Sequence, residues 1–201
     1  MFRPSSSALG VALIMLVAPA TAQAADPARA PVQSLSDGLI GIMKGGAKLG
    51  LSGRAAQIAP VVDRVFDIPL MTRLAVGPAW LSTSAADQAA LVAAFRKLTI
   101  NEYARNFDSW AGQAISVSDK VEVRGTDRLV KTSLTQPGED PVSIAYRLRQ
   151  TGGDWRVIDV FFKNSISQLT TRRADFAAIV AKGGAKALIA HINRLAEKGA
   201  S

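Results

Sequence analysis

The chain has 201 residues, with 24 Lys and Arg against 16 Asp and Glu, no cysteine and one histidine, His191. A chain of this length can bury a core without covalent staples. The missing cysteines exclude a disulfide framework, a thiolate metal site, an iron–sulfur cluster and a thiol nucleophile, and the lone histidine excludes a multi-histidine metal centre. The net charge of +8 is scattered and aromatic residues are only 6%, so no nucleic-acid surface is implied.

The first 24 residues read as an export signal. Arg3 supplies the positive start, Leu9–Ala18 is an unbroken apolar run, and Ala22-Gln23-Ala24 is a small-x-small cleavage site. The run is about half of the roughly 20 residues needed to cross a bilayer. No cysteine follows it to carry a lipid anchor. Cleavage near Ala24 leaves 25–201 as one domain, expected to be soluble.

Val32, Leu35, Leu39, Ile42 and Met43 recur at helical spacing, and Gly45-Gly46 ends that helix. After a loop at Gly50–Gly53, a second helix runs from Arg54 to Phe66, with Pro60 expected to kink it or to open its second part. Asp67 is an N-cap with Pro69 in the first turn, and Gly77 closes this short helix. Ser84 with Asp87 opens the longest helix, expected to reach Trp110, with Glu102 at the margin of its apolar stripe.

The period then changes to two. Ile115–Arg124 alternates, with Asp119 marking a bend, and Leu129–Thr135, Val142–Arg149 and Trp155–Lys163 complete four strands joined by Gly-containing turns. Two helices, Ser165–Lys182 and Ala185–Lys198, finish the chain around Gly183-Gly184. Helices, then a four-stranded antiparallel meander, then helices make an α+β fold. The sheet has one apolar face, which the N- and C-terminal helices cover, and one Arg-containing polar face.

Little in this pattern carries covalent chemistry. The paired glycines lack the spacing and the strand–loop–helix setting of a phosphate loop, and His191 sits in the last helix without an evident partner. Asp159 shares a predicted strand face with Trp155, Val157 and Phe161. That placement suits either a general base with a raised pKa, working with Tyr146, or a hydrogen-bonded structural carboxylate, and no second catalytic group lies near it in sequence. The aromatic and aliphatic residues directed between helices and sheet, among them Phe95, Phe107 and Ile144, serve either a packed core or a cavity for an apolar ligand. Periodicity does not separate these two. A protein-binding adaptor with no cavity is a third reading.

Val65–Phe107 resembles the MlaC, or toluene-tolerance, family of periplasmic lipid carriers, through Phe66-Asp67, Gly77–Trp80, Phe95-Arg96 and Tyr103-Ala104. The likeness continues over Val142–Val180, through Tyr146-Arg147, Trp155-Arg156-Val157, Asp159-Val160, Ser165, Arg172 or Arg173, and Phe176. After the fourth strand the family usually has Gly-Val-Ser-Leu and then Asn-Tyr-Arg. This chain has Asn164-Ser165-Ile166-Ser167 and Thr171-Arg172-Arg173, which is similar to the hopanoid-associated HpnM branch.

The resemblance implies an MlaC-like fold, NTF2-like in outline, with an apolar cavity between helices and sheet. It implies a lipid-binding domain over 25–201 that acts in the periplasm, is not an enzyme and needs no cofactor or metal. Its cargo would be a phospholipid or a hopanoid. Its partners would be an inner-membrane MCE-domain ABC transporter and an outer-membrane lipoprotein or exporter, with transient membrane contact. The lipid-lining role carries over most directly to Tyr103 and Tyr146, and by extension to Phe66, Leu70, Leu74, Trp80, Leu98, Val157 and Phe161.

Overall fold

The computed structural model describes residues 25–198, so the export signal read at 1–24 lies outside the described residues. The order is α1 (Arg29–Val65), α2 (Ile68–Val76), a 3-10 segment (Gly77–Ser82) and α3 (Ala85–Asn106). Then come β1 (Ala114–Arg124), β2 (Asp127–Thr135), β3 (Val142–Thr151), β4 (Asp154–Phe162), β5 (Ile166–Ser167) and α4 (Gln168–Glu197). The fold is α+β, as expected, with an antiparallel sheet in the order β1-β2-β3-β4-β5.

The sheet has five strands, not four. β5 is only Ile166–Ser167, paired with Phe161 and Phe162. Two residues are too few to show an alternating pattern, so the sequence alone places this span in the following helix. α4 therefore begins at Gln168, capped by Ser167.

α1 contains the break expected near Gly46. Gly46 and Gly50 have φ of 48° and 60°, left-handed values that suit glycine. Helical structure resumes at Leu51, earlier than the expected loop allows. Arg54 ties this break to α3, donating from Nη1 to the Gly46 carbonyl at 3.0 Å and from Nε to the Ala104 carbonyl at 2.8 Å. Pro60 does not kink the helix: the non-helical torsions fall only at the two glycines. Pro60 is exposed, so water can satisfy the carbonyl that its ring leaves free. α4 is likewise broken at Gly184, with φ of 66°.

The capping signals hold. Asp67 accepts from the Leu70 N–H at 3.0 Å and the Thr151 hydroxyl at 2.9 Å. Ser84 accepts from the Asp87 N–H at 3.1 Å. α3 stops at Asn106, short of Trp110, because Asn106, Asp108 and Ser109 are weak helix formers whatever the apolar spacing suggests.

The meander's faces are set by two irregularities. β1 shifts register between Val117 and Val121, where Arg29 bonds the Ser118 carbonyl and pairs with Asp119. In β4, Val157 faces Leu148 while Asp159 faces Arg147, so Ile158 is an extra residue, a β-bulge. Val130, Tyr146, Leu148 and Val157 point into the core. On the other face Asp127, only 1% exposed, holds both Arg147 and Arg149.

The layering decides where space is left. α1 packs on β1 and β4, and α4 packs on β4, whereas α3 packs chiefly on α4 and α1 and much less on the strands. A parallel bridge between Phe66 and Val157 fastens the α1–α2 junction to β4.

Two outcomes are expected from these features. Hydrogen bonds from Arg149, then from Arg147, hold the Asp127 carboxyl below the usual carboxylate range against the opposing effect of burial. Its contribution to stability is present above the unfolded-state value near 3.9 and lost as pH falls through the lower folded value. Asp127→Asn is expected to cost about 1–2 kcal/mol at neutral pH, the arginines being partly solvated. Urea titrations are expected to show this difference narrowing below a pH of about 4. Gly184→Ala meets no atom within 4 Å, so its cost is purely conformational, about 1–3 kcal/mol in the same titration.

Candidate functional site

Holding α3 off the sheet leaves a cavity of about 560 Å³ between them. The sheet wall is apolar: Leu134, Val142, Ile144, Val160 and Phe162, with the Tyr146 ring. On the helical side Phe66, Tyr103 and Phe107 form an aromatic run, and Phe95 lines the wall separately. Phe66 and Tyr103 lie 5.7 Å apart and Tyr103 and Phe107 6.0 Å apart between ring centroids. These residues meet because α3 presents positions 95, 99, 102, 103 and 106 along one side, while β3 presents alternate residues 142, 144 and 146.

The cavity also has polar wall. Thr99, Glu102 and Asn106 of α3 and Gln168 and Arg172 of α4 reach it. Arg172 pairs with Glu102. Its guanidinium lies 5.6 Å from the Phe95 ring centroid.

Burial raises the pKa of Tyr103 well above its ordinary value, with smaller contributions from Tyr146 and Glu102 and an opposing one from Arg172. Burial also raises that of Tyr146, partly offset by a hydrogen bond with Thr132. Both side chains are therefore neutral phenols at physiological pH, each an apolar ring with a polar tip.

The residues expected to line a ligand are divided by the structure. Phe66, Tyr103 and Tyr146 lie on the cavity wall. Leu98 and Val157 are buried in the core. Leu70 is half-buried on α2, and Trp80 of the 3-10 segment packs against the core's edge. Leu74 faces a separate groove on the other side of β3 and β4, beside Arg147, Arg149 and Arg173.

Phe161 and Asp159 need correction. Simple alternation puts both on the face of Val157, but the bulge at Ile158 inverts the strand beyond it. Val160 and Phe162 take the cavity side, paired with Tyr146 and Ile144. Asp159 turns to the opposite face and caps α4. It accepts from the Leu169 N–H at 3.1 Å, the Ser167 hydroxyl at 2.7 Å and its neighbour's N–H at 2.8 Å. It is thus separated from Tyr146 by the sheet and serves as a structural carboxylate.

Val160 and Phe162 escaped the sequence reading for the same reason. The polar wall was foreshadowed only by Glu102, a carboxylate on an otherwise apolar helical stripe. Among the described residues no group of three or more His, Cys, Asp or Glu side chains is placed to hold a metal ion. None of the described helices is long and apolar enough to cross a membrane.

The sequence matches none of the curated proteins compared with it. Among solved structures, the fold is similar to that of a phospholipid-binding protein from Ralstonia solanacearum, determined in complex with a phospholipid. The TM-score is 0.73 at 23% identity, over 88% of this chain and 100% of that one. The family model described as MlaC protein matches residues 33–194, most of the chain. This chain therefore belongs to the MlaC family.

Proposed function

We propose that this protein is a soluble lipid carrier of the periplasm, exported by residues 1–24, that holds an acyl chain or a polycyclic body of one lipid in the cavity between α3 and the sheet. The observation that carries this reading is the cavity itself: about 560 Å³ of space with an apolar sheet wall and an aromatic helical wall. At about 30 Å³ for a water-sized group, that is room for one long acyl chain or one polycyclic body.

The mechanism is physical. Exposing a chain to water costs roughly 0.8 kcal/mol per CH₂. Enclosing it removes most of that barrier to passage between membranes. Tyr103 and Tyr146 suit the lining of such a cavity, because each stays neutral and presents an apolar ring to the chain.

The cargo is a phospholipid or a hopanoid-type lipid. The family supports the first, and the Asn164–Ser167 and Thr171–Arg173 variants support the second. An MCE-domain ABC transporter at the inner membrane and an outer-membrane lipoprotein or exporter are the partners this role requires, with transient membrane contact. Carriage needs neither catalysis nor a cofactor. The capping bonds of Asp159 count against an enzyme working through Asp159 and Tyr146, and a cavity of this size counts against a solid adaptor.

Native mass spectrometry of the purified protein is expected to show a co-purified lipid, or lipid uptake after incubation with vesicles. A clean apo mass under both conditions would overturn the reading. Ile144→Trp, which fills the cavity from its sheet wall, is expected to lower uptake about tenfold, equivalent to 1.4 kcal/mol, while circular dichroism stays native. Asp159→Asn is expected to leave uptake unchanged and to lower stability by about 0.5–2 kcal/mol, as the loss of a helix cap does. Loss of uptake in folded Asp159→Asn would show that the carboxylate takes part in ligand handling.

A further inference from the structure

The two walls of the cavity differ, and the difference bears on the head of the ligand. The sheet wall offers only apolar surface and the Tyr146 ring. The seam between α3 and α4 carries the polar groups: Thr99, Glu102 and Asn106, about a turn apart on α3, and Gln168 and Arg172, one turn apart on α4. An amphipathic ligand is therefore oriented, with its chain against the strands and its head at the seam.

Glu102 and Arg172 are the charged side chains of this wall. The nearby arginines are directed elsewhere: Arg105 donates to the carbonyls of Leu195 and Ala196, and Arg173 faces the groove on the other side of the sheet. The pair is partly solvated, at 35% exposure for Glu102 and 21% for Arg172, so a ligand can reach it. One guanidinium nitrogen is engaged with one carboxylate oxygen. A guanidinium has five N–H donors and a carboxylate two accepting oxygens, so each partner has capacity left.

A head that is only anionic gains the Arg172 donors but must sit beside the Glu102 carboxylate. A head carrying both a phosphodiester and an ammonium meets both charges, with phosphate on Arg172 and ammonium on Glu102. The site as a whole is neutral, and a neutral zwitterion leaves it so.

We propose that the Glu102–Arg172 pair is a headgroup selector, which favours zwitterionic phosphodiester lipids over anionic ones. This rests on the lipid-carrier reading and adds to it a substrate class and the two residues that set it. Arg172 supplies the affinity for phosphate. Glu102 supplies the discrimination, because it rewards a cation and penalises a lone anion.

The test is a competition. The protein is incubated with vesicles of equal parts phosphatidylethanolamine and phosphatidylglycerol with identical acyl chains, recovered, and its lipid quantified by mass spectrometry. The expected result is about a tenfold preference for phosphatidylethanolamine in the wild-type protein. Glu102→Gln is expected to bring the ratio close to that of the vesicles, and Arg172→Gln to lower the loading of both lipids. A wild-type ratio equal to that of the vesicles would overturn the selector and leave the carrier intact. So would a folded Glu102→Gln variant with an unchanged ratio. Failure to load either phospholipid, with a hopanoid-type lipid co-purifying instead, would overturn the selector and leave the carrier intact; failure to carry any lipid would overturn both. If Glu102→Gln does not fold, the wild-type ratio alone decides.

Discussion

The structure depends on α3 being held away from the sheet. On one flank, Phe95 meets Phe176 of α4 edge-to-face at 6.4 Å, and Asn101 and Arg105 donate to the Ala196 carbonyl near the end of α4. On the other flank, Arg96 pairs with Asp63 of α1, and Arg54 of α1 donates to Ala104. Bound along both flanks, α3 spans the apolar sheet face without collapsing onto it. The space that this leaves has both apolar and polar lining and is reachable from solvent, which is what a carrier requires.

A second constraint is the single extra residue in β4. Without Ile158 as a bulge, Asp159 would project toward Tyr146, and Val160 and Phe162 would leave the cavity. With it, the same strand gives Asp159 to the N-terminus of α4 and two apolar side chains to the cavity wall. One inserted residue thus places a carboxylate in a structural role on one face and keeps charge out of the sheet wall on the other. Asp67 and Asp127 act in the same way, each a buried carboxylate used for a helix cap or an arginine pair.

These particulars explain what could be read from the sequence. Capping by Asp67 and Ser84, the glycine breaks at 46 and 184, and the strands from β1 to β4 follow from local chemistry, and local chemistry is written in adjacent residues. Tyr146 and Ile144 were legible as facing the helices because β3 alternates without interruption, although alternation alone does not tell a core from a cavity. Phe162 was not, because a bulge changes parity without leaving a turn residue to mark it. β5 was too short to have a period. The polar seam was mostly hidden, because Thr99, Asn106, Gln168 and Arg172 read as ordinary helix-surface residues until α3 and α4 are packed side by side.

The central claim is that the lipid's apolar part lies between α3 and the inner face of the sheet. The most direct measurement is photocrosslinking with a lipid that carries a diazirine near the end of its acyl chain, with the labelled residues located by peptide mass spectrometry. Labels are expected on the cavity wall, at Phe66, Tyr103, Ile144, Tyr146 or Val160. Labels confined to the Arg147–Arg149 face, or to the exposed apolar residues Leu81 and Val123, would contradict the account.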